Sequence, residues 1–178
     1  MPKYIAFLRA INVGGHTVKM DALRLLFEEM EFSNVETFIA SGNVIFDSPG
    51  KHPQPLEQKI EKHLKEKLGY AVATFIRSTV ELATIAQYQP FSDAELSGEG
   101  HGIYIAFLPD EPTGEAQQKM LSMQTTVDAF HFHQREMYWL CRTRFSESLF
   151  KGNMEKILGM SATMRNSTTV KKLVAKYS

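Results

Sequence analysis

The chain has 178 residues, 43% of them hydrophobic, with 20 basic and 20 acidic side chains and a formal net charge of zero. That is enough for one domain or two small ones with a real core, and the charge balance excludes broad electrostatic affinity for nucleic acid or anionic membrane, leaving only a local patch open. There is no basic leader followed by an apolar stretch, no run of ~18 uncharged apolar residues, and only one cysteine, so the expected setting is cytoplasmic and reducing, without a membrane.

Taken in order, Tyr4, Ile5, Ala6, Phe7 and Leu8 form a short apolar run that reads as a buried strand. It switches abruptly to a polar, glycine-bearing loop from Arg9 to Val18. Leu23, Leu26, Phe27 and Met30 then mark one face of a helix, with Asp21 near its start where the helix dipole favours a carboxylate. Residues Val35 to Ala40 and Val44 to Phe46 read as a hairpin turning at Ser41, Gly42 and Asn43. Pro55 opens a second helix in which Leu56, Ile60, Leu64 and Leu68 recur every fourth residue until Gly69. The charges between them read as a solvated face, with pairs such as Glu61 and Lys65. Ala71 to Ile76 read as a fourth strand ending at Arg77. Ser78 and Glu81 have the form of a capping box for a third helix that stops before Pro90.

The segment from Phe91 to Gly102 reads as a linker. Beyond it, Tyr104 to Leu108 repeats residues 4 to 8 letter for letter, followed by a turn-forming stretch and a helix to about Met123. Phe130 and Phe132 alternate with His131 and His133, and Trp139 and Cys141 alternate with Tyr138, Leu140 and Arg142, giving two more strands. After Arg144 no fourth apolar strand is visible. Ser148 to Met160 reads as helical, Ser161 to Thr169 as a connection, and Val170, Leu173, Val174 and Tyr177 as the buried stripe of a final helix. The expected fold is therefore α+β: two tandem ferredoxin-like (split β-α-β) subdomains from an internal duplication, antiparallel sheets with helices packed on them. The expected boundaries are 1–90 for the first subdomain plus connecting helix, 91–102 for the linker, and 103–178 for a second, less complete subdomain.

Charge is unevenly spread. Residues 81–134 carry a net charge of minus seven and residues 135–178 one of plus six, so the C-terminal third either meets an anionic partner or docks on the acidic middle. Thr163 to Thr169 combines hydroxyls, an amide and the Arg165 guanidinium at the start of the last helix. Phosphate or carboxylate could bind there with Lys172, or these residues simply cap the helix while Arg165 pairs with an acidic residue.

Arg9, Ile11, Asn12, Val13, Gly14 and Gly15, the turn Ser41 to Val44, and Thr163, Arg165, Asn166, Thr169, Val170, Lys172 and Leu173 together resemble the bacterial domain-of-unknown-function family 1697 over nearly the whole chain. Ser167 departs from that pattern, standing where the family commonly has an aromatic. The resemblance implies a cytoplasmic α+β protein with duplicated halves and no established activity. It also implies a shared polar set of Arg9, Asn12, Ser41, Asn43, Arg165 and Asn166, with no catalytic role carried over.

Two functional readings follow. In the first, Arg9, Asn12, the Gly14 and Gly15 backbone, Ser41 and Asn43, with Arg77 or with Arg165, Asn166 and Lys172, hold an anionic ligand such as a nucleotide, a phosphorylated metabolite or a nucleic-acid backbone. In the second, a hydrolase or transferase uses the same arginines to stabilise developing negative charge while His16 moves a proton. The scarcity of proton-handling groups favours binding. A structural or oligomerisation role through sheet edges is a third reading, and the sequence assigns no oligomeric state. No cofactor is expected, because Gly14 and Gly15 match neither a P-loop nor a dinucleotide fingerprint. No metal is expected at His131 and His133 without a third ligand, and they read as exposed strand histidines. Cys141 reads as a buried small hydrophobe.

Overall fold

The computed structural model describes residues 1–12, 15, 17–38, 42–50, 52–92, 94–96 and 101–177, and the chain divides into two units, Met1–Ile85 with Leu173–Ser178, and Ala86–Lys172. The protein is α+β, with one four-stranded antiparallel sheet and its helices in each unit.

In the first unit, β1 (Lys3–Leu8) lies inside the sheet, between β3 (Asn43–Asp47) and β4 (Thr74–Ser78), with β2 (Ser33–Thr37) beyond β3. The unbroken apolar run is explained by burial on both faces. Tyr4, Ala6, Leu8, Val44, Phe46 and Ile76 share a core with Leu23 and Phe27 of α1 (Met20–Glu28) and Ile60 and Leu64 of α2 (Pro53–Leu68). Ile5, Phe7, Ile45 and Phe75 alternate with them and are equally buried.

The fourfold spacing in α2 does face the core, and the helix ends where Gly69 adopts φ 83° and donates its N–H to the Lys65 carbonyl at 3.0 Å. A Cβ at Gly69 would meet open space, so a Gly69→Ala substitution carries only the left-handed backbone cost. We expect a loss of about 1 kcal/mol in chemical denaturation. The capping box forms, with Ser78 N–H donating to Glu81 Oε1 at 3.0 Å and Glu81 N–H to Ser78 Oγ at 3.1 Å, at the start of α3 (Thr79–Gln87). The charge run of α2 is not wholly solvated, however. Glu57 is buried and its Oε2 accepts the Ile76 N–H at 2.9 Å, and Glu61 accepts a backbone hydrogen bond from Thr74. Two carboxylates one helical turn apart thus occupy the outward N–H groups of an edge strand. Burial pushes the Glu61 carboxyl up by more than that hydrogen bond lowers it.

In the second unit, β5 (Gly102–Phe107) lies between β7 (Glu136–Cys141) and β8 (Thr163–Asn166), with β6 (Asp128–His133) beyond β7, so the strand order matches that of the first sheet. Tyr104 pairs with Trp139 as Tyr4 pairs with Phe46, and Ile105 pairs with Arg165 as Ile5 pairs with Arg77. The core gathers Ala106, Met120 of α4 (Gly114–Leu121), Phe130, Met137, Trp139 and Leu158 of α5 (Met154–Leu158).

Two expectations are corrected in this unit. A fourth strand exists after Arg144, and it is β8, whose four residues pair with β5. The helix expected over Ser148 to Met160 shrinks to α5, capped by Asn153, whose Oδ1 accepts the Lys156 N–H. The residues before α5 are held instead by Asp128, a fully buried carboxylate that accepts from Thr125 Oγ1 (2.7 Å), Trp139 Nε1 (3.0 Å), Ser148 Oγ (2.7 Å) and the Leu149 N–H (3.0 Å). The final helix, α6 (Ser167–Tyr177), begins in this unit and ends in residues grouped with the first.

Candidate functional site

The end of β1 is flanked on both sides by hydrogen bonds that continue the sheet. Leu8 N–H donates to the Gly42 carbonyl at 2.8 Å, and Arg9 N–H donates to the Ala73 carbonyl at 3.0 Å. The chain then turns sharply, because Ala10 adopts a left-handed φ of 52° that a residue with a Cβ takes up only under local constraint. Ile11 is buried and its carbonyl accepts the Tyr70 hydroxyl at 2.9 Å. Asn12 closes the loop, its Oδ1 accepting the Val18 N–H at 2.7 Å, and Gly15 has φ 84°. On the facing turn, Asn43 is buried and its Nδ2 donates to the Phe38 carbonyl at 3.0 Å, while Phe38 N–H donates back to the Asn43 carbonyl.

Arg9, Asn12, Gly15 and Asn43 are therefore collected around one end of the first sheet, with the Arg9 and Asn12 side chains exposed. Gly14, His16 and Ser41 lie outside the described residues. Arg77 is elsewhere on that sheet. It pairs with Ile5, four residues and about 13 Å back along β1, and it is fully buried with Nη1 donating to the Ile76 carbonyl.

Arg165, Asn166 and Lys172 belong to the second unit. Arg165 Nη1 donates to Thr163 Oγ1 and the Met164 carbonyl, both at 2.8 Å, and burial lowers its pKa to about 10. Asn166 caps α6, its Oδ1 accepting the Thr168 N–H at 2.8 Å. Lys172 is exposed. The stretch Thr163 to Thr169 is thus half strand and half helix start.

A second polar cluster escaped the sequence reading. Tyr88, just past α3, places its hydroxyl 2.8 Å from His131 Nε2 and stacks its ring on His133 with centroids 3.9 Å apart. His131 and His133 are half-buried rather than exposed. Their period-two spacing announced a shared face, but Tyr88 lies 43 residues away from His131 and no local signal joins them. Among the described residues no group of three or more His, Cys, Asp or Glu is gathered to hold a metal ion, and no helix is long and apolar enough to cross a membrane. Cys141 is buried.

Two grooves of the first unit mix both charge signs. One of 350 Å³ runs beside α2, lined by Glu29, Glu31, Lys59, Lys62, His63 and Glu66. The other, of 240 Å³, is lined by Asp21, Arg24, Glu36, Lys176 and Tyr177 among others. Burial, then Glu36, pushes the Tyr177 phenol up to about 12. Neither groove offers the unbalanced positive charge that would select an anion.

Residues 1–138 match a family described as "Protein of unknown function (DUF1697)". Among solved structures, the conserved bacterial protein SP0830 from Streptococcus pneumoniae shares the fold, with a TM-score of 0.75 at 22% sequence identity over 98% of this chain and 97% of that one. No curated protein matches the chain.

Proposed function

We propose that this chain, which belongs to the DUF1697 family of proteins of unknown function, is a binding module that holds a small anionic ligand, such as a nucleotide or a phosphorylated metabolite, at the end of β1. The observation that carries this reading is the 2.8 Å hydrogen bond from Leu8 N–H to the Gly42 carbonyl. It sets the loop that begins at Arg9 beside the turn that ends at Asn43, so a guanidinium and two amide-bearing turns share one end of the sheet. Arg77, Arg165, Asn166 and Lys172 stand outside the ligand set in this reading. Zero net charge favours a small ligand over a nucleic-acid backbone.

Within the same reading the two units are ferredoxin-like subdomains descended from an internal duplication, and the protein works in the cytoplasm. The identical strand orders and the repeated Tyr-Ile-Ala-Phe-Leu segment support the duplication.

In a thermal-shift screen of nucleotides and phosphorylated metabolites, a ligand at 100 times its Kd should stabilise the wild-type protein by about 2.7 kcal/mol. Arg9→Ala should abolish that shift while leaving the fold intact. An undiminished shift in the variant would refute the assignment.

A further inference from the structure

The outer strands β4 and β8 occupy matching positions in their sheets but are finished differently. In the first sheet the N–H groups of Thr74, Ile76 and Ser78 point away from β1, and each meets a carboxylate, from Glu61, Glu57 and Glu81 in turn. Arg77 Nη1 closes the Ile76 carbonyl at 2.9 Å. In the second sheet Met164 lies opposite Ala106 as Ile76 lies opposite Ala6, and Asn166 lies opposite Tyr104 as Ser78 lies opposite Tyr4. The Leu108 N–H donates to the Arg135 carbonyl at 3.0 Å, which fixes the alternation of the ladder and turns the backbone groups of Met164 and Asn166 away from β5.

Half of that seal is present on β8. Arg165 Nη1 closes the Met164 carbonyl at 2.8 Å, as Arg77 closes that of Ile76. The carboxylates are missing. α2 has 16 residues and delivers Glu57 and Glu61, whereas α5, at the same place in the element order, has five. At the start of α6 the position that matches Glu81 holds Thr169, which has no carboxylate to return to the Asn166 N–H. Among the described residues no side chain accepts the N–H of Met164 or of Asn166. We propose that the margin of β8 is a binding site for a ligand with two carboxylates, which accept the N–H groups of Met164 and Asn166.

Spacing and charge both select this chemistry. The two N–H groups are two residues, about 7 Å, apart along the strand. A small dicarboxylic acid such as adipate spans that distance, and so do acidic side chains at alternate positions of an extended peptide. From Gly159 to Lys172 the chain carries Arg165, Lys171 and Lys172 and no acidic residue. Asn166, Lys171 and Lys172 are exposed and Met164 is half-buried. The positive end of the α6 dipole lies next to Asn166 and adds to the attraction. Met164 and Asn166 belong to the second unit and Arg9 to the first, so the two assignments are tested separately.

The test titrates adipate and the peptide acetyl-Glu-Val-Glu-amide into the intact chain, with butyrate as the single-carboxylate control, and follows the Met164 and Asn166 amides by NMR. Both amides should shift, and with adipate at ten times its Kd their hydrogen exchange should slow about tenfold. Butyrate should bind at least about tenfold more weakly, because the second carboxylate of adipate binds intramolecularly. Thr169→Glu completes the box that Ser78 and Glu81 form, occupies the Asn166 N–H from within, and should bring adipate down to the affinity of butyrate. A peptide that binds more tightly than adipate supports the site and identifies an acidic protein segment as its source, and the reverse order supports it with a small dicarboxylate as the source. Met164 and Asn166 amides that stay in place with both dicarboxylates would overturn the proposal, as would equal affinity for adipate and butyrate in the wild-type protein, or a Thr169→Glu variant that binds adipate as the wild type does.

Discussion

Replacing Asp128 with alanine should destabilise the second unit by roughly 3–5 kcal/mol, because several buried donors lose their acceptor at once. Thr125, Trp139, Ser148 and the Leu149 N–H all converge on this fully buried carboxylate. In the variant the indole and backbone N–H groups would be left without a partner in a space that water does not replace well. Trp139 is the single tryptophan of the chain and donates directly to Asp128. Its fluorescence during urea unfolding therefore reports the loss, and a variant within 1 kcal/mol of wild type would sink the prediction.

The pH dependence has a definite sign. Burial alone would raise the Asp128 pKa, but the hydrogen bonds from Ser148, Thr125, Trp139 and Leu149 outweigh it, and the net shift is downward. A carboxylate with a lowered folded pKa contributes stability that is present above the unfolded value near ~3.9 and disappears as pH falls through the folded one. Acid titration followed by Trp139 fluorescence should thus show a transition below about pH 4. Asp128→Asn, which cannot titrate, should flatten it.

The second large effect is expected at Glu57. Its carboxylate is buried and accepts the Ile76 N–H at 2.9 Å. Glu57→Ala should cost roughly 2–3 kcal/mol, since a buried acceptor is lost and a backbone donor is left without it. Glu57→Gln should cost less, because the amide oxygen can still accept. The specific readout is the Ile76 amide, whose hydrogen exchange should accelerate in Glu57→Ala far more than in Glu57→Gln. Equal protection of Ile76 in the two variants would show that the carboxylate does not hold the strand.

The elements with strong periodicity were legible from residues alone. Leu56, Ile60 and Leu64 face the core as their spacing demands, and the Ser78 and Glu81 box closes as its letters suggest. The fourth strand of the second sheet was not legible, because Thr163, Met164, Arg165 and Asn166 show neither an apolar run nor alternation. Only pairing with β5 makes them a strand. The helix expected from Ser148 failed for a tertiary reason. Ser148 and Leu149 are bound to Asp128, twenty or more residues earlier, and that hydrogen bonding outcompetes local helix formation.

The same division holds for sites. The strand that ends before Arg9 and the hairpin that ends at Asn43 were each legible by local rules, while the hydrogen bond from Leu8 N–H to the Gly42 carbonyl that sets them side by side is a long-range contact. Glu57 was hidden in a run of charges whose commonest fate is solvent, and Tyr88 was hidden because stacking partners 43 to 45 residues apart leave no trace in a window of ten.

The outermost strands also bear on self-association. In one sheet the Ile76 amide is taken by Glu57, and in the other the Phe130 amide of β6 is taken by the Gln124 side chain at 2.9 Å. A foreign extended peptide seeking to lengthen the first sheet at β4 or the second at β6 must first displace these residents, so strand addition is discouraged at those two of the four sheet margins. The guard at Phe130 is a neutral amide and keeps working in acid. At β4 the second guard, Glu61 on the Thr74 N–H, has its carboxyl pushed up by burial, so the β4 margin loosens in acid before the β6 margin does.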